Sequence, residues 1–93
     1  MHIATLTITL HLAEGSSLKD KRQVVRSIKE RIRERVRASV AEVEYQDLWQ
    51  RAAIGFAVVA ADGAHVHELL NSARQIVDQY LQAQVLDWQE TLQ

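Results

Sequence analysis

Residues 2–12 read HIATLTITLHL, and the alternation in that stretch decides the fold. Leu6, Ile8, Leu10 and Leu12 fall on one face, and Thr5, Thr7, Thr9 and His11 on the other. Successive side chains of a strand point to opposite faces, so a period of two predicts a strand with one strongly apolar face. That face must be buried against other elements, and the downstream sequence supplies them. The segment AEGSS (13–17) turns the chain. Ser17 followed by Asp20 is an acidic variant of the capping box and predicts a helix start. Leu18, Val25, Ile28, Ile32 and Val36 then recur at helical spacing.

A second strand is expected over about residues 38–45, a hairpin at QDLWQ (46–50), and a third strand over about 51–61. Asp62 is a good N-cap for a second helix. Its apolar stripe is Val66, Leu69, Leu70, Ala73, Ile76, Val77, Tyr80 and Leu81. A last strand runs from Val85 to about Leu92. The order is β-α-β-β-α-β. Right-handed crossovers place both helices on one face of a four-stranded antiparallel sheet. This is an α+β, ferredoxin-like sandwich, with the first and third strands central and the other sheet face uncovered. At 93 residues the chain fits one domain, 1–93.

The composition narrows the function classes. Apolar residues are 47% of the chain, enough for one compact core, and cysteine is absent. Disulfides and thiolate chemistry are thereby excluded, in keeping with a reducing compartment. The N-terminus lacks the basic lead of a signal peptide. No apolar run approaches the roughly 20 residues that span a bilayer. The expectation is a soluble cytoplasmic protein with no membrane partner. The net charge of -1 conceals a segregation. Residues 19–37 hold nine Lys/Arg against three Asp/Glu, and the rest hold two against nine. A field with direction steers partners.

Helical residues advance 100° each. With Val25 at zero, Lys19, Arg22, Arg26, Lys29, Arg33 and Arg37 fall between about 40° and 120°, along one flank of the apolar face. Asp20, Gln23, Ser27, Glu30 and Glu34 are assigned to the outermost face, and Lys21, Arg31 and Arg35 to the opposite flank. Two readings fit the basic stripe. Long cationic side chains can snorkel along a core edge and stay wet. Alternatively, the stripe binds an anionic partner such as RNA, by phosphate neutralisation and counterion release. It runs about 27 Å and contains like-charge neighbours four apart, Arg22/Arg26 and Arg33/Arg37. Pairs of Glu30 and Glu34 with Arg26, Arg33 and Arg37 would offset that repulsion. The helix N-terminus, with Lys19, Lys21 and Arg22, is a candidate single-phosphate site.

The open sheet face lacks the aromatic rings with which RNA-recognition motifs stack bases on central strands. The third strand, however, is apolar on both sides. Ala53, Gly55, Ala57 and Val59 face away from the helices, and Ile54, Phe56 and Val58 toward them. A strand apolar on both faces is usually covered on both. This favours a homodimer through the open face, against a small-ligand groove or a tolerated exposed patch. Tyr45, Trp49 and Arg51 join Gly55, Ala57 and Val59 as candidate interface residues, since Trp and Arg are favoured anchors. Trp49 capping the sheet edge is the plainer alternative. Trp88 is expected to face the helices and to belong to the core.

Nothing in the sequence names a reaction. His65 and His67, two apart on a helix, point to different sides and make no metal site. With three glycines there is no glycine-rich phosphate loop. Acylphosphatases share the topology but hold phosphate with an arginine-bearing loop after the first strand, and AEGSS has no arginine. No catalytic residue, metal or cofactor is assigned.

The stretches SLKDKRQVVRSIKERIR (17–33) and SVAEVEYQDLWQRAAIGFAVVA (39–60) resemble the YlxP-like family of small bacterial proteins of unknown function. The resemblance spans nearly the whole chain. Its most specific pieces are Ser17 to Arg22 and Val40 to Arg51. It implies a ferredoxin-like fold and supplies no active site. Genes of the family often lie near those of translation initiation and ribosome-binding factors, which implies a translation or ribosome-maturation role by association. The leading expectation is a non-enzymatic accessory protein that binds RNA or a ribosomal particle. Lys19, Lys21, Arg22, Arg26, Lys29, Arg33 and Arg37 would contact phosphates. The alternative is a dimeric regulatory or small-ligand-binding module that uses the open face.

Overall fold

A computed structural model describes residues 1–13 and 17–92. Part of the AEGSS segment read as a turn, Glu14 to Ser16, lies outside the described residues. The elements are β1 (His2–Leu12), α1 (Leu18–Val36), β2 (Ser39–Glu44), β3 (Arg51–Ala60), α2 (Gly63–Asp78) and β4 (Ala83–Leu92). The sheet is antiparallel in the order β2-β3-β1-β4. This is the ferredoxin-like order, with β1 and β3 central.

The alternation of β1 sets the layers. Ala4, Leu6, Ile8, Leu10 and Leu12 are buried beneath the helices. From α1 come Val25, Ile28, Ile32 and Val36, and from α2 Val66, Leu70, Ala73, Ile76 and Val77. Ile54, Phe56 and Val58 of β3 complete the core. Burying each large aliphatic side chain contributes about 1.5–3 kcal/mol, so this one layer carries the fold.

The helix ends follow the capping residues. Ser17 Oγ accepts from the Asp20 amide at 3.1 Å, and Asp20 Oδ2 accepts from the Ser17 amide at 3.2 Å, closing the capping box. Asp62 Oδ1 accepts from the His65 amide at 2.8 Å at the start of α2. α1 stops at Arg37, which takes a left-handed backbone (φ 53°, ψ 43°).

The apolar stripe assigned to α2 ran too far. The helix ends at Asp78, and both Tyr80, half-buried, and Leu81, 97% exposed, lie beyond it. Turn bonds from the Gln79 and Tyr80 amides to Ile76 and Val77 lead the chain out instead. Trp88 does face the helices, opposite Ile8, but it is half-buried with the Arg74 guanidinium 4.7 Å from its ring centre.

Candidate functional site

The two flanks of α1 meet different neighbours, and this sorts its charges. On one side lies α2. The Ser27 hydroxyl is hydrogen-bonded to the Tyr80 hydroxyl, and Arg31 donates to the Gln79 side chain while lying over the Tyr80 ring. Ser27 is therefore half-buried between the helices, and its assignment to the outermost face is corrected. Arg31 and Arg35 line the polar groove between α1 and α2. On the other side α1 overhangs β2, the sheet edge. Lys19, Arg22, Arg26, Arg33 and Arg37 are exposed there, and Lys29 is half-buried. Arg33 makes a long 3.5 Å contact with the Val40 carbonyl on that edge.

Among the described residues, the six stripe cations make no ion pair with a carboxylate. The expected pairs of Glu30 and Glu34 with Arg26, Arg33 and Arg37 are not formed. No described carboxylate neutralises the stripe.

Lys21 does not belong to that surface, and its assignment as a phosphate ligand is corrected. It is 1% exposed, the one buried charged side chain among the described residues. Its Nζ lies 2.8 Å from Glu42 Oε2, donates to the Tyr45 carbonyl at 2.5 Å and sits 3.4 Å from the Gln46 carbonyl. A signal for this was present in the sequence. Four residues back from Val25 is about -40°, between Ile32 at about -20° and Ile28 at about -60°. Lys21 occupies an apolar-face position, not a flank. A buried ammonium requires oxygen partners, and the β2–β3 hairpin supplies three.

The hairpin is organised around that ammonium. Tyr45 takes a left-handed backbone (φ 64°), which costs a non-glycine residue about 1–2 kcal/mol. Its carbonyl accepts from both Lys21 and the Leu48 amide, and the Arg51 guanidinium lies 5.7 Å from its ring centre. The Leu12 amide donates to the Gln50 carbonyl at 2.8 Å, tying the far side of the loop to β1. A bulge between Glu42 and Glu44 sets Val43 over Gly55. A Cβ on Gly55 would lie 3.0 Å from Val43 Cγ1, which explains a glycine inside a central strand.

The open face divides into three zones. At its centre are Thr5, Thr7, Gly55 and Ala57 with Ser39 and Ala41, lining a shallow trough. Val59 is 58% exposed, Ala57 is exposed, and Ala53 is fully buried. At the hairpin end, His11 and Arg51 are register partners, and with Leu48, Trp49 and Gln50 they line a cavity of about 270 Å³. At the outer edge, Asp87, Gln89 and Thr91 of β4 pair with Thr9, Thr7 and Thr5. The candidate interface residues are thus split. Gly55, Ala57 and Val59 run along the sheet, while Trp49 and Arg51 line the end cavity. Tyr45 lies against Arg51.

His65 pairs with Glu68 at 3.3 Å, and no three His, Asp or Glu side chains gather among the described residues. No described helix is long and apolar enough to cross a membrane.

Similar proteins agree with this architecture. Against a putative chlorite dismutase the chain has a TM-score of 0.56 at 13% identity, covering 99% of this chain and 44% of that one. Against a structural-genomics protein, YJCS, the TM-score is 0.62 at 8% identity, with 96% of each chain covered. At such identities the likeness is one of fold alone. The uncharacterized protein YlxP of Bacillus subtilis (strain 168) is 31% identical over 67 residues, which cover 72% of this chain and 73% of that protein. Residues 3–90 match the family described as "Protein of unknown function (DUF503)". The chain is a member of that YlxP-like family, whose function is not known.

Proposed function

We propose that the basic flank of α1 binds the phosphate backbone of RNA, free or within a ribosomal particle, and that the protein is a non-enzymatic accessory factor. One observation carries this reading. Lys19, Arg22, Arg26, Lys29, Arg33 and Arg37 line one flank, turned away from α2, with no carboxylate partner among the described residues. Cations in a row about 27 Å long match a polyanion better than a single acidic group. The energy would come from counterion release, so affinity should fall steeply with salt.

The test is co-sedimentation with ribosomal subunits, and direct titration with RNA, at low and moderate salt. The variant Arg22→Gln/Arg26→Gln/Arg33→Gln should bind more weakly. Its salt slope should be shallower by about 2, from three lost phosphate contacts at about 0.7 each on a single strand. Unchanged binding would remove the stripe from the interface, and no binding by the wild type at low salt would end the reading.

A second reading concerns the open face. The exposure of Ala57, Val59 and Val43 on a sheet with no helix over that side favours self-association there. Sedimentation equilibrium at high protein concentration is the check. A strict monomer would defeat it.

A further inference from the structure

The hairpin that carries the cavity is tied to the first turn of α1, and the tie is Lys21. Its ammonium fixes the first turn of α1 against the Tyr45 and Gln46 carbonyls. Arg22 follows Lys21 on that turn, and Lys19 precedes Lys21 by two. Trp49 is three residues beyond Gln46, at most about 11 Å along the chain. The first turn of the basic track is therefore anchored to a loop that carries a half-buried tryptophan beside an arginine.

We infer that the cavity formed by His11, Leu48, Trp49, Gln50 and Arg51 receives one unpaired nucleobase, so that the RNA partner of the stripe is single-stranded there. This rests on the phosphate-binding reading of α1 and specifies its substrate.

Three features support it. At about 270 Å³ the cavity lies below the roughly 300–1,000 Å³ of drug-sized ligand sites, and suits one planar ring system. Its walls combine an aromatic ring, a guanidinium and an imidazole, groups on which bases stack, with the Gln50 amide for a base edge. The platform is also preformed. The Leu12–Gln50 bond, the Leu48–Tyr45 turn and Lys21 hold the loop from three sides.

Charge decides how the strand enters. Glu44 and Asp87 share the next row of the open face, paired with Ala53 and Thr9. They repel phosphates from the sheet. The backbone is kept on the α1 side, and only the uncharged base reaches across the hairpin. A base inside a duplex cannot make that reach, because it is already stacked and paired.

The experiment compares a 12-nucleotide oligo(U), a 12-nucleotide oligo(A) and a 12-base-pair RNA duplex by fluorescence anisotropy at two salt concentrations. Wild type should prefer the single strands. Trp49→Leu should weaken single-strand binding about tenfold, in the range of one lost stacked base, and leave duplex binding and the salt slope unchanged. Trp49→Phe should retain most of the affinity. The Arg22/Arg26/Arg33 to Gln variant should lose affinity for strand and duplex alike. Should Trp49→Leu fail to fold, Trp88→Phe leaves Trp49 as the sole tryptophan of the chain's two, and its emission should be quenched by oligo(A). Tight single-strand binding with Trp49→Leu equal to wild type, or no quenching at saturation, overturns the base site while leaving the phosphate track standing. Quenching by adenosine monophosphate alone, without oligonucleotide binding, overturns it in favour of a free nucleotide. No RNA binding by wild type at low salt overturns both.

Discussion

Lys21 and Arg22 are consecutive, both cationic, and placed in opposite environments. Lys21 is enclosed by Glu42 and two hairpin carbonyls, whereas Arg22 stands in solvent on the outer flank. One step of about 100° separates the apolar face of α1 from its basic stripe. The comparison teaches that a charge run is not one functional unit. Within SLKDKR, Ser17 and Asp20 cap the helix, Lys21 holds the hairpin, and only Lys19 and Arg22 remain for a partner.

The largest expected effect tests the buried half of that contrast. Lys21→Met leaves Glu42 without its cation and the left-handed Tyr45 with one carbonyl partner fewer. Breaking a buried pair by removing one member costs about 3–5 kcal/mol, against a total stability of about 5–15 kcal/mol for a domain. Urea melts should show a large loss or no folded baseline. Adding Glu42→Leu should restore much of it, since an apolar replacement of both partners is often neutral. If the single variant melts within about 1 kcal/mol of wild type, Lys21 is not a structural clamp and the contrast with Arg22 collapses.

The α2-facing flank gives intermediate effects. Tyr80→Phe and Ser27→Ala each remove the hydroxyl pair between α1 and the turn that follows α2, at about 1 kcal/mol apiece. The double variant should cost little more than either single change, because they share one bond. Full additivity would mean that the two hydroxyls act separately.

At the end of the stripe, Arg37 departs from its neighbours in backbone rather than environment. Its left-handed conformation suits glycine, so Arg37→Gly should raise stability by about 0.5 kcal/mol, the strain relieved less the chain entropy lost. A decrease in the thermal midpoint would show that the side chain stabilises the helix end by more than its backbone strains it.

The fold was legible because its signals are local and redundant. The period of two in β1, the Ser17 and Asp62 caps and the helical stripes each point to the same topology, and all but the end of the α2 stripe are found in the structure. The error at Leu81 has the usual cause. An apolar residue continued the pattern past Asp78, and no glycine or proline marked the stop. The site was less legible. The angles of α1 set the stripe beside the apolar face, but grouping by charge put Lys21 on a flank although its own angle lies on the apolar face. Ser27 was misplaced because a helical wheel does not tell where a second helix will pack. The hairpin cavity left no periodic trace at all. It lies beside a hairpin in which Tyr45 turns left-handed, and the Tyr45 carbonyl finds its partner in a lysine 24 positions earlier.

The smallest expected effect is the one that separates stripe from clamp most sharply. In Arg22→Gln/Arg26→Gln/Arg33→Gln, the repulsions of Arg22 with Arg26 and of Arg33 with Arg37, each four apart, disappear. That should stabilise by a few tenths of a kcal/mol. Arg33 loses its long contact with Val40, a small opposing loss. The net change should stay within about 0.5 kcal/mol of wild type by these pairwise magnitudes. Any gain should shrink in 0.5 M salt, where exposed charges are screened beyond a few Å. Urea melts at low and high salt read both quantities. Three cations removed at almost no cost to folding, beside one removed at several kcal/mol, would mean that folding does not require the stripe. A loss above about 1.5 kcal/mol, well outside surface-charge magnitudes, would place Arg22, Arg26 and Arg33 with Lys21 among the residues the fold itself requires. The weakened RNA binding expected of the same variant would then have to be read as partial unfolding, and Trp49→Leu would become the cleaner probe of the interface.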